Sequence, residues 1–234
     1  MNLILYYLFV YLIEAIILWL YCNRIFTSRK NTFLSLLITI GMFSLLIPVA
    51  ILTNAALNAF CSFIVYLCCI VLNYDSKPVW ALFHALALTI LMALSEGLIA
   101  AAIPDITIYA FRDGNIHSSA FTFVILSKSV YLCISQLVTR IFSKDTVNNA
   151  SIRKSTLMLY LIPVMSSIIT VSLGYICLNG KLSGSDSVIV FICLVLLLSI
   201  NILTFYLQQD ISQKNVEYAR LQIELQKETD TEHY

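Results

Sequence analysis

The sequence predicts an all-α, polytopic helical membrane protein: about seven transmembrane helices, then a cytoplasmic C-terminal linker helix. Three observations carry that reading. Hydrophobic residues make up 60% of the chain and charged residues only 12%, where soluble domains average about 45–50% and about 25%. Mean hydropathy is +0.89, and the apolar residues fall in runs of roughly 20, the length that crosses a bilayer core. After Leu207 the composition changes at once to a polar, helix-forming segment, QQDISQKNVEYARLQIELQKETDTEHY. The chain therefore divides into a transmembrane part, 1–207, and a coiled-coil-like helical linker, 208–234.

The spans follow in order. Span 1 is expected from Leu3 to Tyr21. MNLILYYLFVYLIEAI has no basic leader and no small-residue cleavage site, so it reads as a span and not as a cleaved signal peptide. Between Asn31 and Tyr74 there is no charge, and that stretch is too long for one crossing. Asn54 and Asn58 mark an expected turn that divides it into span 2, Thr32 to Leu52, and span 3, Ala55 to Leu72. A short polar link ends at Pro78, which suits the first turn of span 4 because its missing N–H is not needed there. Span 4 runs from Val79 to Ile103, span 5 from Ala120 to Val138, span 6 from Thr156 to Leu178, and span 7 from Val188 to Leu207. Pro163 is expected to kink span 6.

Loop charges set an expected orientation. With the N-terminus outside, the inner loops hold Arg24, Arg29, Lys30, Lys77, Arg140, Lys144, Arg153 and Lys154, and the outer loops hold only Arg112 and Lys181. That asymmetry places the C-terminal segment in the cytoplasm. The net charge of +1 gives no support to a nucleic-acid partner.

Three charged residues lie inside spans: Glu14, Glu96 and Lys128. A charge at that depth costs a few kcal/mol if left unpaired, so each is expected to face the bundle interior. Glu14 reads either as interhelical glue or as a ligand or proton site. Glu96 lies toward the outer face and reads as a sensing residue. Lys128 lies at a depth similar to that of Glu96, so the two are expected to pair. Span 4 also carries Ala81, Ala85, Thr89, Ala93, Gly97 and Ala101, a small-residue stripe that permits close helix approach. The loop from Pro104 to Ser119 offers Tyr109, Phe111 and Arg112, either as an interfacial belt or as contacts for a small ligand.

The seven cysteines lie mostly in spans and read as small apolar core residues. His84, His117 and His233 have no partner at metal-ligand spacing. No hydrolase elbow, zinc-protease or phosphate-loop motif occurs, and no cofactor is expected. Asn149-Ala150-Ser151 fits a glycosylation triplet but falls in an expected inner loop.

In the C-terminal segment, Ile211, Tyr218, Leu221 and Leu225 are spaced by seven, three and four. This forms an a/d seam for dimerisation and signal transmission, with polar Lys214 and Glu228 at the other seam positions. The sequence VEYARLQIELQKETDTEHY directly after a last span resembles the linker of GHKL-family, AgrC-like sensor histidine kinases of Gram-positive bacteria. The resemblance covers topology over the whole chain, and sequence over about the last 25 residues. It implies a quorum-sensing receptor: the ligand-sensing input module of a two-component system, a homodimer reading a small or cyclic extracellular peptide. A kinase core, absent from this chain, would bind ATP and serve a response regulator. No phosphoacceptor box is present, and His233 does not take that role. The alternatives are a transporter or partner-binding membrane protein, which stands on its own, and an intramembrane peptidase, for which His84 has no Cys or Asp partner at helical spacing.

Overall fold

The computed structural model describes residues 3–52, 55–103, 118–141 and 184–232, together with Ile162, Met165, Ser166, Ile168, Ile169 and Ser172. The fold is all-α. Its helices are α1 (Leu3–Ile25), α2 (Thr32–Ser44), α3 (Ile47–Ile51), α4 (Ala55–Asn73), α5 (Pro78–Ala102), α6 (Ser118–Ile141) and α7 (Gly184–Glu232). Among the described residues five apolar segments are long enough to cross a membrane: Leu3–Ile25, Thr32–Ile51, Pro78–Ala102, Ser119–Arg140 and Asp186–Leu207. Leu57–Asn73 is a shorter apolar one. Most of the expected sixth span, with Pro163, lies outside the described residues, as do Tyr109, Phe111 and Arg112.

The second span departs from a single helix. It breaks after Ser44 and resumes at Ile47, because Pro48 has no N–H to give the Ser44 carbonyl and its ring crowds that carbonyl. The break is closed by tight-turn bonds, Leu45 N–H to the Met42 carbonyl at 3.3 Å and Leu46 N–H to the Phe43 carbonyl at 3.0 Å. Asn58 also departs from its expected place in a turn. It lies inside α4, where its side-chain oxygen accepts from the Tyr11 hydroxyl at 2.8 Å.

The expected polar link before Pro78 contains structure of its own. Thr27–Ser28 and Tyr74–Asp75 form a two-residue antiparallel pair, β1 with β2. Arg29 reinforces it, through its backbone N–H to the Asn73 carbonyl and its guanidinium to Asp75 at 3.2 Å. The clip ties the connection after α1 to the one after α4, so both turns lie at one end of the bundle.

Helix α5 is the central element. It packs against α4, α6 and α7, while α1 packs against α2 and α6. Its apolar segment is 56% buried, against 28–39% for the other long ones. Outward faces are equally apolar: Ile4, Leu5, Leu8, Leu12 and Ile16 of α1 are exposed, as lipid-facing side chains should be. Tyr6 meets Phe121 edge-on at 5.7 Å near one end, and Phe83 meets Phe205 at 5.5 Å near the other. Thus α1, α6 and α7 run one way and α5 the other. Arg24, Arg29, Lys77 and Arg140 gather at the end from which α7 continues beyond the bundle.

The small-residue stripe of α5 serves two neighbours, because a four-residue step drifts around a helix. Ala81 and Ala85 are buried in the main core, while Ala101 joins Val190 and Leu194 of α7. A Cβ on Gly97 would stand 3.2 Å from Leu194 Cδ1. Gly97→Ala should therefore be tolerated by a small movement of the Leu194 side chain. Gly97→Leu should force α5 and α7 apart, destabilising the bundle by about 1–3 kcal/mol. Thermal unfolding of the two variants in nanodiscs checks this order.

Candidate functional site, a buried Glu–Lys–Glu triad

The charged residues inside the spans converge. Glu14 is central in α1, Lys128 lies in the first half of α6, and Glu96 in the second half of α5. Because α5 runs opposite to the other two, all three arrive at a common depth. Lys128 Nζ stands 2.5 Å from Glu14 Oε1 and 2.5 Å from Glu96 Oε1. The Lys128 and Glu14 side chains are 2% and 4% exposed, whereas that of Glu96 is 40% exposed. One ammonium thus serves two carboxylates, one sealed and one half-open. Glu14 has no basic neighbour in sequence, and its partner comes from a helix more than a hundred residues away.

Lysine suits this position. Its ammonium is a compact point charge with three donors on a flexible stem, so it can address two carboxylates on different helices. The second oxygen of Glu14 is buried with no hydrogen-bond partner among the described residues. Four phenols lie within electrostatic reach of the carboxylates: Tyr6 and Tyr11 of α1, Tyr66 of α4 and Tyr131 of α6. Sequence reasoning did not single them out. The usable signal was spacing, since Tyr11 precedes Glu14 by three residues and Tyr131 follows Lys128 by three, on one face of each helix. On the lipid side, a groove of about 190 Å³ between α1 and α6 is lined by Ile13, Ile17, Ile125, Leu132 and Lys128.

His84 belongs to a different setting, near the clip. Its Nδ1 lies 2.8 Å from the Tyr21 hydroxyl. Trp80 stacks on its ring at 5.8 Å, and Phe26 and Phe83 meet it edge-on. The residue is fully buried, and this packing describes a structural histidine in an aromatic box.

The second candidate feature is the far part of α7. Helix α7 is continuous for 49 residues, from the last span through the polar segment. Beyond Leu207 it extends about 37 Å, at about 1.5 Å per residue. Within the bundle it is held by Ser187 Oγ, which donates to the Ala101 carbonyl at 2.6 Å, and by the Asn201 amide, which donates to Ser166 Oγ at 2.5 Å. Past the bundle, Ile211 is half-buried, while Tyr218, Leu221 and Leu225 are 65%, 48% and 63% exposed. Lys214 pairs with Asp210 one turn earlier at 2.9 Å, and that hydrogen bond holds its ammonium above the usual lysine range.

No protein-family model, curated protein or solved structure matches this chain.

Proposed function

We propose that this chain is the membrane-embedded input module of a sensor histidine kinase, set in a bacterial plasma membrane with its N-terminus outside. The observation that carries the reading is α7, one uninterrupted helix that starts in the bundle and leaves it with an apolar seam exposed. A helix anchored along a span by Ser187 and Asn201 cannot rotate or slide without carrying its outer turns along. It is a mechanical output. A ligand at the opposite end, a small peptide in this reading, acts by favouring one of two packings of the bundle. Glu96, the half-open member of the triad, is the sensing residue among those described. Basic residues gathered where α7 departs support a cytoplasmic output.

The seam supports a second copy as its partner. With Ile211, Tyr218 and Leu225 at a, and Leu221 at d, the g positions hold Asp210, Glu217 and Glu224, and the e positions hold Asn215 and Gln222. In a parallel pair Asp210 and Glu217 face the neutral amides Asn215 and Gln222 at e, and Glu224 faces the neutral Thr229. In an antiparallel pair acidic g residues would face one another. Two chains in one membrane require the parallel arrangement.

The test is a chimera carrying a histidine-kinase core after Tyr234, reconstituted in nanodiscs and exposed to conditioned medium from the source cells. Autophosphorylation should change with the medium and should vary with a period of about 3.6 as single residues are inserted after Lys214. Output indifferent to both would overturn the reading. The buried triad favours a second reading, transport of a small cation, which proteoliposome flux would reveal.

A further inference from the structure

The triad carries one carboxylate more than its ammonium can neutralise. Glu14 and Lys128 are sealed from solvent and balance each other, and Glu96 then adds a second carboxylate at the same nitrogen. The four neighbouring phenols, Tyr6, Tyr11, Tyr66 and Tyr131, are neutral and offer no further positive charge. Among the described residues Lys128 is the cation in contact with either carboxylate. An uncompensated charge in a low-dielectric interior is strongly unfavourable. Two like charges that share one site also oppose each other's ionisation.

We propose that Glu14, Lys128 and Glu96 form a binding site for one exchangeable proton, taken up through the half-open Glu96 carboxylate. The bound proton brings the triad from a net charge of minus one to zero. It comes from water and resides on a carboxylate oxygen. Lys128 keeps its own proton throughout, because among the described residues it is the group that compensates Glu14. The proton on Glu96 and the contact between Glu96 and Lys128 then compete. Protonation weakens the α5–α6 tie and leaves the α1–α6 tie at full strength. Among the described residues the second oxygen of Glu14 is buried without a partner, and it is an alternative lodging for the same proton. This inference is independent of the sensor reading, because it concerns the occupancy of the site and not its output.

Infrared difference spectroscopy of the full chain in nanodiscs tests it. The wild-type protein should show a carboxylic-acid carbonyl band that grows as pH falls, shifts in heavy water, and is complete while circular dichroism still reports the folded bundle. The wild-type spectrum minus that of Glu96→Gln should contain one such band against the common background of the other acidic side chains, since the remaining Glu14–Lys128 pair is neutral and has no reason to take up a proton. Subtracting the spectrum of Glu14→Gln should leave the same band, through the Glu96–Lys128 pair, and it keeps the test usable if the first variant does not fold. A wild-type protein without such a band over its folded range would overturn the proposal. So would a folded Gln variant whose carboxylic-acid band equals that of the wild type at every pH.

Discussion

Replacing Lys128 by Met should destabilise the bundle by about 3–5 kcal/mol, the cost of leaving a buried charge without its partner. Methionine has nearly the length of lysine and is tolerated by irregular cavities, so lost packing contributes little. What remains is two carboxylates at one depth, Glu14 sealed and Glu96 half-open. The triple variant Lys128→Met, Glu14→Gln, Glu96→Gln should recover most of the stability, because exchanging all members of a buried ionic group for neutral ones is often close to neutral. Thermal unfolding in nanodiscs distinguishes the outcomes. A single variant as stable as wild type would show that the triad is not under electrostatic load. A triple variant as unstable as the single one would show that shape, and not charge, holds α1, α5 and α6 together.

The second large effect concerns α7. Gln213→Pro should disconnect the membrane part from the seam while leaving the membrane part intact. Residue 213 is exposed and lies between the last span and Tyr218. Proline there removes the bond to the carbonyl four residues earlier and clashes with it, at a cost of about 3 kcal/mol in a helix interior. In the kinase chimera the response to conditioned medium should vanish. The unfolding temperature of the bundle should stay at the wild-type value, since none of its interhelical contacts is touched. Gln213→Ala, with a better helix former, should preserve the response. A proline variant that still responds would mean that α7 is not the transmitting element.

Much of the architecture was legible from hydropathy. The boundaries of α1, α4, α5 and α6 lie within a few residues of the expected spans, because a run of apolar residues about 20 long has few alternatives to a membrane helix. The continuation of the last span into the polar segment followed from the absence of any breaker after Leu207. The break at Ser44 was a missed inference, since Pro48 and its carbonyl four residues back are both in plain view. The clip between Thr27–Ser28 and Tyr74–Asp75 was not legible, because each half is two residues long and gains meaning only from the other.

The candidate site divides in the same way. The sequence by itself determined that Glu14, Glu96 and Lys128 lie at membrane depth and need company, because hydropathy fixes depth along a helix. It did not determine rotation about the axis. In a bilayer the outward and inward faces of a span are both apolar, so Ile4, Leu8 and Leu12 look like core residues and are instead exposed. Nor did it show that one lysine would serve both glutamates. Only the tertiary structure decided that, by bringing α1, α5 and α6 to one point and turning one face of each toward it. The physical reason is that the hydrogen-bonded contact joining Glu14 to Lys128 forms only at about 3 Å or less. It acts only after the packing of whole helices has brought the two within reach, and no local pattern encodes that packing.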